Sequence, residues 1–394
     1  MHDTTPRAAV RLPPWQHMAG SEFQRMLRGY LMDHHPGPGP RDPLARLEFQ
    51  RRWAATLADD GWAAPAWPQR FGGMDLALDK LLIYYEEMAR AGVPPHPSPN
   101  AFIVAPTIMA SGSEAQCRRY LRPIVRAEEL WCQGFSEPDA GSDLAALTTR
   151  AHAVGDRYIV TGQKVWTSKA MTADWMFALV RTGAPDSRHR GLTYLLIDMR
   201  SPGLTVRPLR DLTGGSWFGE VFFDDVAVPI SQRVGAEGEG WRLARHSFGH
   251  ERSSSRIAQV VRYERIVDEL IALARSTGQA SDANIRQQLA AVAIGSRLLK
   301  ATFERVMARV LRGEDPGPAS SISRLFLATF EQRLHEVALL VLGPAGMLAP
   351  DHPDADGCGR WIWGFLNTRA STIGAGTSEI QRSIMAERVL GLPR

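Results

Sequence analysis

Arg157-Tyr-Ile-Val-Thr-Gly-Gln-Lys-Val-Trp166 follows a Gly155-Asp156 turn and sits in a chain that is otherwise mostly helical in pattern. Near Trp131 the apolar period changes from helical to alternating, so this stretch reads as one arm of a hairpin. Working outward, Trp175 to Val180, Gly191 to Met199 and Glu220 to Val228 are further strands, each bounded by Gly, Pro or Asp. Short strands at this spacing make a small antiparallel β domain. It ends at the glycine-rich hinge Val234-Gly-Ala-Glu-Gly-Glu-Gly240.

Both flanks are helical. Before the strands, Leu44 to Leu57 carries Leu44, Leu47 and Trp53 with charges between, and Leu81 to Ala91 carries Leu82, Tyr85 and Met88. Pro36-Gly-Pro-Gly-Pro40 is a linker or exposed loop, and Pro94, Pro95, Pro97 and Pro99 break the chain again. After the hinge, Ile257, Val260, Val261, Val267, Leu270 and Ile271 keep a 3–4 spacing along a long helix. Helices near Ile285 to Val310, Ser321 to Val341 and Glu379 to Leu390 follow. The expected class is α+β, with an N-terminal helical domain over residues 1–129, a middle antiparallel β domain over 130–236 and a C-terminal helical bundle over 237–394.

The bulk numbers narrow the classes of function. The 394 residues, 44% of them hydrophobic, suffice for a large core. No apolar run is long enough to span a bilayer, and Met1 to Val10 lacks an apolar signal core. Cys117, Cys132 and Cys358 are odd in number and without metal or redox spacing, which reads as a reduced, cytoplasmic protein. The net charge of +4 comes from scattered basic residues, an argument against nucleic acid.

Three constellations carry chemistry. In Arg369-Ala-Ser-Thr-Ile-Gly-Ala-Gly-Thr-Ser-Glu-Ile-Gln-Arg382, Gly374 and Gly376 form a permissive loop, and Ser378 to Gln381 reads as a capping box that opens a helix. Such a joint offers free N–H groups and a positive dipole end to a phosphate, a flavin edge or a thioester carbonyl; an ordinary loop-to-helix joint is the blander alternative. Trp131-Cys-Gln-Gly-Phe-Ser-Glu-Pro-Asp-Ala-Gly-Ser-Asp143 runs from a strand into a turn where Gly141 and Ser142 leave N–H donors free for phosphate or a flavin ring. Lys164-Val-Trp-Thr-Ser168 sets an indole beside two hydroxyls, a wall for an aromatic cofactor or simply a buried Trp.

Taken together, S-E-P-D-A-G-S-D, G-Q-K-V-W-T-S and G-A-G-T-S-E-I-Q-R, with F-G-G at Phe71 to Gly73 and V-F-F-D-D-V-A-V-P at Val221 to Pro229, resemble the acyl-CoA dehydrogenase family. The resemblance runs from about residue 45 to the C-terminus and includes the helix, β, helix order. It implies an FAD enzyme that oxidises an acyl thioester, on CoA or a carrier protein, to its α,β-enoyl form. A carboxylate removes the α-proton while hydride leaves the β-carbon for the flavin. It also implies electron transfer to an electron-transfer flavoprotein, and a homodimer or homotetramer, with a heteromer open. By this resemblance Phe135, Ser136, Gly141 and Ser142 would touch flavin, with Ser142 also near substrate. Trp166 and Ser168 would flank the ring, and Thr377 and Glu379 would contact FAD.

The departures matter as much. Many members place the catalytic Glu directly before the loop Gly-Thr, where this chain has Ala375. Its backbone N–H, with Gly376, would still help hold the thioester carbonyl. A subset carries the base in a Glu-Arg pair on the helix after the hinge, which maps the base to Glu251 and a substrate contact to Arg252. The R-x-x-F-G segment that reaches a neighbour's FAD is here Arg275-Ser-Thr-Gly278, and Gln-x-x-Gly-Gly is here Leu340-Val-Leu-Gly343 followed by Pro344. The resemblance would put contacts to the adenosine part across the subunit boundary at Arg275 and Gly343; with these departures FAD would bind loosely, or a different subunit would complete the site. Rival readings are an oxidase that uses oxygen, a low-activity flavin-binding subunit of a heteromer, and a metal site at His246 and His250 that lacks a third ligand. The Ser253-Ser254-Ser255 run could line a pocket for a polar acyl group or simply back-bond.

Overall fold

The computed structural model describes residues 15–40, 42–251, 256–314, 317–355 and 357–393. Side chains at 16, 248–251, 256 and 319 lie outside the description. The chain divides into two compact units. The first comprises Met1–Leu209 with Ser216–Ser253, and the second Arg210–Gly215 with Ser254–Arg394.

Among the described residues the first unit has five α-helices before the strands: α1 (Gly20–His34), α2 (Pro43–Asp59), α3 (Leu78–Ala91), α4 (Ala101–Ser111) and α5 (Glu114–Val125). Their starts follow local chemistry. The Asp42 carboxylate accepts from Ala45 N at 2.8 Å, and Ser113 closes a capping box with Gln116. Along α3 the fully buried face is Leu81, Tyr84 and Glu87, one residue before the expected Leu82, Tyr85 and Met88, which are half-buried. Glu87 can lie inside because Arg28 Nε meets it at 2.5 Å and Gln24 Nε2 at 2.7 Å.

Among the described residues eight strands follow: β1 (Trp131–Gly134), β2 (Arg150–Val154), β3 (Arg157–Ser168), β4 (Trp175–Arg181), β5 (Leu192–Asp198), β6 (Leu204–Leu209), β7 (Phe218–Pro229) and β8 (Arg233–Val234). They form one sheet in the order β6-β7-β3-β2-β4-β5-β8. Pairing is antiparallel except where β1 lies parallel to β4 and a single parallel bridge joins Arg150 to Arg181. The β2–β3 hairpin turns at Gly155-Asp156 as the alternation requires. β4 is buried on both faces. Trp175, Phe177 and Leu179 join the core shared with α1 to α5, while Met176, Ala178 and Val180 join a second cluster with Tyr158, Val160, Val221 and Phe223. α6 (Gly240–Glu251) completes this unit, with Ser247 buried against Thr107 and Tyr194.

The second unit is helical: α7 (Arg256–Ser276), α8 (Ala283–Leu311), α9 (Ser320–Leu342), α10 (Gly359–Asn367) and α11 (Ser378–Arg388). Ile257, Val260, Val261, Val267 and Leu270 are buried as their spacing demands. α10, which carries the buried Trp361 and Ile362, was not anticipated. Asp282 caps α8 through Asn284 N and Ile285 N. Among the described residues no helix is long and apolar enough to cross a membrane.

Candidate active site

In the first unit, β1 leads into the 135–149 segment, and the site is built where that segment lies along β3. Val165 N donates to Ser136 O at 2.9 Å, which sets Ser136 beside Trp166. Glu137 and Ala140 close a tight turn through paired backbone bonds of 3.1 Å. Beyond it, the Gly141 and Ser142 amides make no hydrogen bond among the described residues, and both residues are exposed. A Cβ on Gly141 would meet nothing of the chain within 4 Å, so open space lies where a side chain would project.

A buried ion pair fixes this segment. Lys164 Nζ donates to Glu137 Oε1 at 2.8 Å and to Phe135 O at 3.1 Å. Glu137 also accepts from Thr148 N, Thr148 Oγ1 and Thr149 N. Burial raises the cost of charge on Glu137, but the Lys164 ammonium and these donors outweigh it and hold its carboxyl at about 2. Burial pushes the Lys164 ammonium down to about 8, with Glu137 opposing the shift. Arg181 adds a second brace, donating to Leu147 O and Ala145 O. Lys164 and Glu137 fall within the sequence motifs, which by themselves assign them no role. A lysine two residues before the exposed Trp166 was the available signal.

Trp166 stands at an irregularity. The β3–β7 register shifts between Lys164 and Thr167, and Trp166 takes a φ of 58°, a left-handed backbone unusual for a bulky residue. The bulge turns the indole out, 61% exposed, with Phe218 edge-on at 5.8 Å. Ser168 is half-buried next to it, and Thr167 Oγ1 is buried without a partner among the described residues. The Phe135 ring lies inside, against Phe177 and Tyr194. Phe135 can therefore serve a ligand only through its backbone. An exposed flat indole, free amides and open space at Gly141 together fit the edge and face of a planar heteroaromatic ring.

In the second unit, the 368–372 turn runs into the loop 373–377. Ala375 has φ 52° and Gly376 φ 91°, two left-handed residues in succession. Neither amide makes a hydrogen bond among the described residues. Successive amides in such a turn make a concavity that favours an anion or a polarised carbonyl, and α11 begins immediately after. The helix cap is Thr377, whose hydroxyl accepts from Ile380 N at 3.2 Å, and not the capping box expected over Ser378 to Gln381. The boundary falls one residue earlier, which places Ser378 inside the helix with its Oγ buried and unpartnered among the described residues. Glu379 is exposed and pairs with Arg382.

Other expected residues stand apart. Arg275 is exposed at the end of α7, and Gly343, with φ 58°, opens the turn after α9. Neither shares a hydrogen bond with the 375–379 segment among the described residues. Leu340, in the position of the usual Gln, is 52% exposed. Glu251 is the last residue of α6; its side chain and that of His250 lie outside the described residues, as do Arg252 and Ser253 to Ser255.

Family models described as acyl-CoA dehydrogenase N-terminal, middle and C-terminal domains match residues 20–128, 132–226 and 238–390. The chain is 40% identical over 388 residues to acyl-CoA dehydrogenase IpdE1 of Mycobacterium tuberculosis, covering 95% of this chain and 98% of that protein. A solved structure titled Tcur3481-Tcur3483 steroid ACAD superposes with a TM-score of 0.83 at 28% identity, covering 97% of this chain and 100% of that one. The ChsE4-ChsE5 complex from Mycobacterium tuberculosis does so at 0.77 and 31%, covering 98% and 100%.

Proposed function

Because the chain belongs to the acyl-CoA dehydrogenase family, oxidoreductases that act on CH–CH groups, we propose that it binds FAD and dehydrogenates an acyl thioester to the 2-enoyl thioester. Bound FAD would supply the acceptor for the β-hydride. The observation that carries the reading is the bulge that turns the Trp166 indole out on the strand bonded to Ser136, with the Gly141 and Ser142 amides free among the described residues of the same 135–149 segment. Ser136, Gly141, Ser142, Trp166 and Ser168 hold the ring system, and Thr377 and Glu379 contact the FAD of the same or a neighbouring subunit.

The residues divide the remaining work. The Ala375 and Gly376 amides hold the thioester carbonyl and stabilise the charge that develops on its oxygen as the α-proton leaves. Ala375 has no group that takes a proton. Glu251 is the base: its carboxylate receives the α-proton, and Arg252 stands beside the substrate. Anaerobic titration with a panel of acyl thioesters tests this, since flavin absorbance reports cofactor, catalysis and acyl preference together.

The acyl group we favour is bulky and steroid-like, carried on CoA. The support is the likeness to a structure titled steroid ACAD over nearly the whole chain. A heteromeric assembly is the second reading. It is favoured by the exposed Leu340 in place of the usual Gln and by likeness to two structures titled by two chains each. Electrons pass to an electron-transfer flavoprotein.

A further inference from the structure

We propose that Arg324 is a positioning residue that aims the Ala375 amide at the substrate carbonyl; this rests on the thioester reading above. Arg324 lies in the second turn of α9. Its Nη2 donates to Ser371 O at 2.8 Å and to Gly374 O at 2.6 Å. No ion pair of Arg324 occurs among the described residues, so its charge is directed at these two carbonyls.

The consequence follows from peptide geometry. The Gly374 carbonyl and the Ala375 N–H belong to one planar trans unit, and they point in opposite directions. A guanidinium that fixes the carbonyl on one side fixes the N–H on the other. It also draws electron density from the carbonyl, which strengthens that N–H as a donor. The loop needs the help. Ala375 and Gly376 are both left-handed and exposed, and toward the loop's start the only backbone bonds among the described residues are from Ile373 N and Gly374 N to Ala370 O, at 3.0 and 2.9 Å. Two turns along the same face of α9, Gln332 Nε2 donates to Thr368 O at 3.1 Å and holds the preceding turn. α9 thus serves as a rail, with Arg324 at the end nearest the donor.

The test uses the flavin-loaded protein with Arg324→Met and Arg324→Lys. Backbone hydrogen exchange needs no substrate. In Arg324→Met the Ile373 and Gly374 amides should exchange at least about tenfold faster, with the rest of α9 unchanged. Flavin reduction by a thioester should slow by about tenfold or more. Binding of the matching thioether, which lacks the carbonyl, should stay the same. Arg324→Lys, which keeps a charged donor, should recover most of both effects. Unchanged exchange would overturn the anchor. Faster exchange with unimpaired reduction, or equal losses for thioester and thioether, would overturn the aiming role. If no thioester reduces the wild-type flavin, the dehydrogenase reading fails and the aiming role with it, and the exchange result still decides whether Arg324 anchors the loop.

Discussion

Lys164 Nζ lies 2.8 Å from Glu137 Oε1, both side chains buried, and the pair ties the free-amide turn to the strand that presents Trp166. Removing one partner leaves the other charged in a dry site. Lys164→Met should therefore cost about 3–5 kcal/mol. The double variant Lys164→Met with Glu137→Gln should cost clearly less than the two single losses added. Denaturant titration of the four proteins measures the coupling. Additive losses would mean the pair is not a unit.

The same carboxyl sets an acid limit. Its value of about 2 lies below the ordinary glutamate value, so its contribution is full above about 4.3 and is lost as pH falls toward 2. His96 acts in an earlier window. Its Nε2 faces Ile124 O at 3.0 Å and Nδ1 faces Ser98 N at 3.2 Å, and burial pushes its value down to about 4. The folded state keeps it neutral while the unfolded chain takes up a proton. Stability should fall as pH drops from about 6.5 to about 4, and His96→Gln should flatten that interval alone. Glu137→Gln should flatten only the lower one. Melting temperature against pH for each variant separates the two.

Trp166 is held in a backbone conformation that glycine adopts freely. Trp166→Gly should leave the melting temperature of the flavin-free protein unchanged or higher, while FAD affinity drops by about tenfold or more through the lost ring face. Flavin fluorescence during dilution reads the affinity. A lowered melting temperature of the flavin-free protein with FAD affinity kept would assign the indole to the core.

Much of this was legible in the sequence, for identifiable reasons. The 3.6 and 2.0 periods are imposed by burial, so the helices and strands around Trp131 and Arg157 could be read directly. The α3 face was misplaced by one residue because Glu87 looks polar. Its burial depends on Arg28 and Gln24, roughly sixty residues away. Thr377 and Ser378 are chemically equivalent as caps, and in the fold Thr377 takes the cap while Ser378 is buried in the first turn of the helix. The Lys164–Glu137 pair and the Arg324 clamp were hidden for the same reason as Glu87. Their meaning lies in partners distant along the chain.

Ala375 already carries a Cβ at a φ of 52°, so a longer side chain adds no new backbone strain there. If the base sits at Glu251 because the loop lacks one, a carboxylate at 375 should partly replace it. Ala375→Glu in a Glu251→Gln background should regain flavin reduction to about one part in a hundred of wild type or better. Stopped-flow absorbance with a reducing thioester measures it. No recovery, with the thioester still bound, would mean that 375 does not face the reacting carbon.

The most direct test of the account is the Glu251→Gln single variant under anaerobic titration. With a thioester that bleaches the wild-type flavin, the variant should keep its FAD, bind the thioester and show no bleaching. Bleaching at the normal rate would contradict the assignment of proton abstraction to Glu251.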